Sequence, residues 1–167
     1  MSRALRVDNI EWEFWQPTDH AVLCFLRNGS RLLLIHKKRG LGRGKINGPG
    51  GRIEAGETAI EAAVRETREE VGLEPLDPSE RAELSFVFAD GYGMQVRVFF
   101  AARWRGTLTE TDEALPFWCD LQSIPYDQMW ADDRLWLPHA LEGRFVRGVF
   151  TFDGDRMIDH RVTLSAP

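Results

Sequence analysis

Residues 58–72 constrain the fold more than any other stretch of this chain. Thr58 and Glu61 stand at capping-box spacing, where the threonine hydroxyl accepts from the Glu61 amide and the Glu61 carboxylate reaches back to the Thr58 amide. Gly72 supplies the left-handed residue that ends a helix. Isolated helices shorter than about 12–15 residues are marginal in water, so this one needs a surface to pack on. Ile60, Val64, Thr67 and Val71 follow i, i+4, i+7, i+11 and predict one stripe packed against a sheet. Glu66, Glu69 and Glu70 share another face, roughly opposite the stripe, where three carboxylates repel one another.

The sheet has its own signals. Ala21 to Arg27 and Arg31 to Lys38 are apolar runs joined through Asn28-Gly29, a dipeptide suited to a tight hairpin turn. Arg144 to Phe152 and Arg156 to Leu164 repeat that arrangement around Asp153-Gly154. Glu83 to Ala89 and Gln95 to Trp104 are further strand candidates, and the glycine-rich stretch Arg39 to Gly51 reads as a loop. A second helix is expected from Asp132 or Asp133 to Glu142, interrupted or kinked at Pro138 and ended by Gly143. Several strands with few helices predict a mixed sheet covered by helices.

Size and charge narrow the function. The 167 residues suit one domain, and 43% hydrophobic with 28% charged residues is an ordinary globular composition. A net charge of −5 disfavours a protein that grips long DNA or RNA by neutralising many phosphates. The longest apolar run, Ala21 to Leu26, is far short of the ~20 residues of a membrane span, and the charged N-terminus is unlike a signal peptide. A cytoplasmic protein with no membrane partner is expected. Cys24 and Cys119, both in apolar stretches, read as buried free thiols, and the four histidines lack metal-ligand spacing. A Walker phosphate loop is excluded, because Gly44-Lys45 is followed by Ile46 and the first Walker glycine would fall on Arg39.

Taken alone, Glu66, Glu69 and Glu70 describe a solvated acidic face with Arg65 and Arg68 as counter-charges. Their setting changes that reading. Gly51, five residues, Glu57, seven residues, then Arg65-Glu66-Thr67-Arg68-Glu69-Glu70-Val71-Gly72-Leu73 resembles the Nudix box, the loop-helix-loop signature of hydrolases acting on nucleoside diphosphates linked to another group. Thr67 stands where the family usually places an aliphatic residue, and its methyl can still pack there. The resemblance implies an α/β Nudix fold, a mixed β-sheet sandwiched between helices in an α/β/α arrangement. It assigns residues 21–165 to a single Nudix domain and leaves residues 1–20 as an extension of unknown role.

A pyrophosphate linkage carries charges that repel a nucleophilic water, and hard divalent ions on oxygen ligands neutralise them. The resemblance implies that Glu66, Glu69 and Glu70 hold Mg²⁺ or Mn²⁺ and carry the catalysis. Gly50 and Gly51 would let the backbone approach metal and phosphates. Arg65 and Glu57 would fix the loop and aim the glutamates. Glu113, by itself a loop acid, becomes a candidate extra metal ligand or base.

The second half resembles one branch of the family. Thr111-Asp112-Glu113 through Phe117-Trp118, then Ile124 to Asp133, Trp136, Pro138 and Phe150 to Asp153 are similar to the MutT homologues that sanitise oxidised purine nucleoside triphosphates. Lys37-Lys38-Arg39-Gly40 and Asn47 to Gly51 fit the same branch, so the likeness covers roughly residues 22–163. It implies that Trp130 stacks on the purine, Asn47 bonds its edge, and Asp132 and Asp133 meet the face that oxidation alters. Phe86 and Met94 would wall the pocket, with Lys37 also on the substrate.

Two neighbouring carboxyls in a desolvated pocket resist double ionisation, so one can donate to a keto oxygen while its partner accepts from a ring N–H. Such a pair suits 8-oxo-guanine and 2-hydroxy-adenine. Without that context Asp132-Asp133 reads as a helix cap and Trp130 as core. Two departures stand out: Leu41 replaces an aromatic beside the base, and the turn Asp90 to Gly93 is shortened and glycine-rich.

The expected activity is Mg²⁺-dependent hydrolysis of oxidised purine nucleoside triphosphates, 8-oxo-dGTP and also 2-hydroxy-dATP, to the monophosphate and pyrophosphate, by a monomer. Trp12 and Trp15 either pack on the sheet or offer a dimer contact, so a dimer is the alternative. The rival functions are a Nudix pyrophosphatase for ADP-ribose, a dinucleotide cofactor or ordinary dNTPs, a non-catalytic nucleotide sensor, and an enzyme of RNA 5′ ends.

Overall fold

A computed structural model describes residues 5–165, so residues 1–4 of the expected N-terminal extension lie outside the described residues. Eleven strands and two α-helices follow in the order β1 (Asp19–Asn28), β2 (Arg31–Lys37), β3 (Ile46–Asn47), β4 (Gly50–Arg52), α1 (Ala59–Val71), β5 (Leu73–Leu76), β6 (Ser79–Phe88), β7 (Gly93–Ala101), β8 (Arg103–Gly106), β9 (Ala114–Asp120), α2 (Asp133–Leu141), β10 (Val146–Asp153) and β11 (Arg156–Leu164). Nine strands form one mixed sheet, β11-β10-β6-β7-β1-β2-β3, with β4 paired to β1 and β9 to β2. The pairs β1/β7 and β6/β10 are parallel, and the remaining pairs of that sheet are antiparallel.

Alternation of side chains across the strands divides the core between the two faces. Val22, Cys24, Leu26 and Phe99 point to the face that α1 covers with Ala59, Ala62, Ala63 and Val71. Phe25, Leu84, Phe86, Val98, Phe150 and Phe152 point to the other face, where α2 brings Trp136, Leu137 and Ala140. The expected α/β/α sandwich is the observed architecture. No helix among the described residues is long and apolar enough to cross a membrane.

Both hairpins form, with Gly29 and Gly154 at φ 61° in the turns. The first pairs only at its tip, through Arg27 with Leu32 and Asn28 with Arg31, because β1 then turns to β7 and β4 while β2 joins β3 and β9. That splay opens the gap in which the site lies.

Three expectations need correction. The stretch 39–51 is not wholly loop: β3 and β4 pair at its end, since Ile46 is buried and Gly50 fits against β1 where a Cβ would sit 2.0 Å from the Val22 carbonyl. The run Gln95 to Trp104 breaks after Ala101, where β8 leaves the main sheet to pair with β5. On α1 the buried stripe is rotated: Thr67 and Val71 are buried as expected, but Ala59, Ala62 and Ala63 make the upper contact and Ile60 is 49% exposed. Alanines allow close helix-to-sheet approach, and that rotation carries Glu70 onto the buried side.

Candidate active site

The capping box on α1 is present in full, with Glu61 N donating to Thr58 Oγ1 at 3.1 Å and Thr58 N to the Glu61 carboxylate at 2.9 Å. Gly72 ends the helix at φ 80°, where a Cβ would meet the Thr107 carbonyl at 2.4 Å. With both ends set, the helix presents Glu66 and Glu70 toward β4. Gly50 N donates to Glu70 Oε2 at 3.3 Å, and a Cβ on Gly51 would lie 2.4 Å from Glu66 Cδ. Only a glycine backbone comes this close to both carboxylates.

Carboxylate oxygens of Glu66, Glu70 and Glu113 lie within 4.8 Å of one another. Glu113 arrives from the segment before β9, held because Thr111 Oγ1 donates to the Glu70 carbonyl at 2.8 Å and Arg39 donates to Glu113 Oε1 at 2.8 Å. Burial raises the pKa of Glu70 to about 8, against the opposing pull of Lys37 and the Gly50 amide. Glu66 is raised by burial as well. Charges forced together in this way call for a cation, and an all-oxygen donor set fits a hard divalent ion. Glu69 is not in this trio; its side chain is 52% exposed and pairs with Arg65 at 3.2 Å.

Arg65 links the loop to the helix. Its guanidinium donates to both oxygens of Glu57, at 2.6 and 2.9 Å, to Glu66 at 2.9 Å and to the Arg52 carbonyl at 3.1 Å. The fork holds Glu57 low, at about 2, and Glu57 accepts the Glu54 amide as well. Thr67, the departure from the aliphatic position, donates to the Ala63 carbonyl at 2.7 Å and is fully buried beside Cys24, whose thiol burial pushes up to about 12.

Beside this cluster a cavity of about 340 Å³ runs between the splayed strands and α2. Gly50, Gly51 and Lys37 line it, as do Asn47, Phe86, Met94, Trp130, Asp132 and Asp133. The structure therefore gathers every residue expected to contact the substrate. Phe86 stacks on Phe150 at 5.3 Å, and Trp130 stands edgewise to Phe88 and Phe152 with Lys45 over its ring at 5.2 Å. Leu41, 47% exposed, also lines the cavity.

Asp132 and Asp133 do not cap α2. Asp132 holds the N-cap position without capping; its Oδ2 accepts from Trp136 Nε1 at 2.9 Å. Asp132 Oδ1 and Asp133 Oδ2 are buried without a partner. Burial lifts Asp132 to about 6 and, with the charge of Asp132 beside it, raises Asp133 well above the ordinary carboxylate range. A pair of desolvated acids with spare oxygens at a cavity wall is built to bond a polar ligand.

Sequence reasoning passed over Tyr92 and Arg52, which also line the cavity. Arg52 directly follows the glycine pair, a cue available in the sequence, whereas Tyr92 lies in the shortened turn after β6, where the resemblance offered no counterpart.

Comparison with known proteins agrees with this geometry. A NUDIX domain matches residues 17–140. An oxidized purine nucleoside triphosphate hydrolase of Danio rerio is 42% identical over 134 residues, covering 79% of this chain and 86% of that protein. Its namesake in Mus musculus is 39% identical over 132 residues, covering 78% and 85%. The crystal structure of a MutT mutator protein from Bacillus halodurans superposes with a TM-score of 0.78 at 26% identity, over 86% of this chain and 97% of that one. A Nudix-box helix with its glutamates against a glycine pair, on a sheet of this topology, has one family reading: the chain belongs to the Nudix hydrolases.

Proposed function

We propose that the protein hydrolyses oxidised purine nucleoside triphosphates, such as 8-oxo-dGTP and 2-hydroxy-dATP, to the monophosphate and pyrophosphate. The carrying observation is the cavity itself, which is lined both by two buried acids with unpartnered oxygens and by the glycines that abut Glu66 and Glu70. The names of the Danio rerio and Mus musculus relatives point the same way.

In this reading Asp132 and Asp133 share a proton at neutral pH, one acid donating to a keto oxygen of the base and the other accepting from a ring N–H. Trp130 stacks on the purine, Asn47 bonds its edge, and Phe86 and Met94 close the apolar wall. Lys37, near the Glu70 carboxylate, offsets negative charge where the phosphates must lie. Glu66, Glu70 and Glu113, with Glu69 beside them, would hold Mg²⁺, or Mn²⁺, and Gly50 and Gly51 would offer backbone oxygen. Such an ion supplies neutralisation of the phosphate charge and an acidified water. Arg65 and Glu57 keep the glutamates aimed, and Glu113 stands as further ligand or base. The catalytic unit so defined is residues 21–165.

The test is Mg²⁺-dependent turnover of 8-oxo-dGTP, 2-hydroxy-dATP, dGTP and ADP-ribose, followed by product chromatography, with Glu66→Gln as reference. Preference for an oxidised purine, with kcat reduced on the order of a hundredfold in Glu66→Gln, is the expected result. Preference for ADP-ribose would leave the acidic helix standing and remove Trp130, Asp132 and Asp133 from base recognition.

A further inference from the structure

The turn between β6 and β7 comprises residues 89–92, and its Tyr92 lines the cavity. Phe88 and Tyr92 close it, with Phe88 N donating to the Tyr92 carbonyl at 2.8 Å, and Gly91 passes through at φ 95°. Asp90 accepts the Tyr92 amide at 2.9 Å, which fixes the backbone from which the tyrosine projects. Its ring lies 5.8 Å from Phe88 and lines the cavity.

The segment before β1 holds this turn from outside. Thr18 N donates to the Gly93 carbonyl at 2.7 Å, Gly93 N returns to Thr18 Oγ1 at 3.1 Å, and Trp15 lies against Gly93 so closely that a Cβ there would meet it at 3.0 Å. At the first residue of β1, Asp19 Oδ2 accepts from the Tyr92 hydroxyl at 2.8 Å and pairs with Arg52 Nε at 3.4 Å. Arg52 in turn follows Gly51, and its carbonyl accepts from Arg65. One carboxylate therefore ties the cavity wall to the strand that borders the acidic cluster.

We propose that Tyr92 is a specificity-determining wall of the nucleoside pocket and that Asp19, with Thr18 and Trp15 behind it, is its positioning residue. The inference rests on the nucleotide reading of the cavity. Its physical basis is that a tyrosine on a short turn has a free rotor, and a phenol locked to a partly buried carboxylate does not. An immobilised ring presents a fixed wall at low entropic cost when the nucleoside enters, so binding loses affinity when the lock is removed. The hydroxyl is spent on Asp19, which leaves the ring as the surface facing the ligand. The N-terminal segment, outside the stretch that resembles the oxidised-purine branch, thereby acts on substrate choice.

The experiment compares wild type with Tyr92→Phe, Asp19→Ala, the double variant and Asp19→Glu, measuring KM and kcat for 8-oxo-dGTP and dGTP and melting each variant. Loss of one hydrogen bond to a charged group corresponds to a change of roughly 10- to 150-fold in an equilibrium constant, of which substrate binding registers only a part. Tyr92→Phe and Asp19→Ala are each expected to raise KM for 8-oxo-dGTP about fivefold or more, more than they raise it for dGTP and more than they lower kcat. The double variant should match Asp19→Ala, because each single change already removes the bond between the two side chains, and Asp19→Glu should recover part of the loss. Unchanged KM in both single variants, or a fall in kcat alone that tracks a lowered Tm, would overturn the proposal. Wild type lacking preference for 8-oxo-dGTP would instead count against the proposed function, a result visible before any variant is made.

Discussion

Asp132 and Asp133 contribute a pH dependence whose sign follows from their burial. Each carboxyl has a higher pKa in the folded protein than in the unfolded chain, so the folded state binds the extra proton. Their stabilising contribution is complete below the ordinary carboxylate range, near pH 3.9. It is lost as pH rises through the folded value, about 6 for Asp132 and higher for Asp133. Asp133→Asn, which keeps shape and removes the titration, is expected to flatten this decline, so that its Tm relative to wild type rises between pH 4.5 and pH 8. Thermal melts in matched buffers measure it, and a Tm difference constant across that range would show that both acids are ionised in the fold. Thr67, on the opposite face of the sheet, shows how a polar residue enters a core without such a cost. Its hydroxyl is satisfied by the Ala63 carbonyl, so the position tolerates it.

At the level of elements, α1 works as a ruler between two fixed ends, the capping box at Thr58 and the left-handed Gly72. Gly72 is under two constraints at once: φ 80°, and a Thr107 carbonyl 2.4 Å from where a Cβ would stand. The left-handed conformation alone costs an alanine roughly 1–2 kcal/mol, and the backbone contact adds to it. Gly72→Ala is therefore expected to lower Tm by about 2–8 °C from the conformation alone, given a shift of ~2–4 °C per kcal/mol at this chain length, and further through the contact. It should also weaken Mg²⁺ binding in titration calorimetry, since Thr109 N and Thr111 Oγ1 bond the last carbonyls of the helix and carry the segment with Glu113. A stable variant with unchanged Mg²⁺ affinity would separate the helix end from the acidic cluster.

Across the whole molecule the two halves of the site come from opposite faces of the sheet. The acidic cluster belongs to the α1 side and the paired aspartates to the α2 side, and they communicate through the splay between β1 and β2. In the proposed function, base binding is thus separable from metal binding. 8-oxo-dGMP, the product of the proposed reaction, is expected to raise Tm even in EDTA. At a hundredfold excess over its Kd the gain is ~2.7 kcal/mol, or about 5–10 °C. Equal stabilisation by dGMP would mean that the pocket does not read the oxidised face.

The amino-acid sequence by itself determined what rests on local spacing and short-range chemistry. The helix with its caps and both hairpin turns are near-neighbour patterns, and each is where the spacing placed it. The acidic triplet is split by the tertiary structure, which buries Glu70 beside Glu66 and leaves Glu69 exposed on Arg65. Only the tertiary structure decided which helix face is buried, because Ala62 and Ala63 outcompete Ile60 once a flat sheet must approach closely. It also decided that Asp132 serves the cavity and Trp136 instead of a helix cap, since its surroundings come from strands far away in the chain. Tyr92 belongs to the same class: its partner Asp19 is distant in sequence, and no local pattern encodes a bond made across two strands.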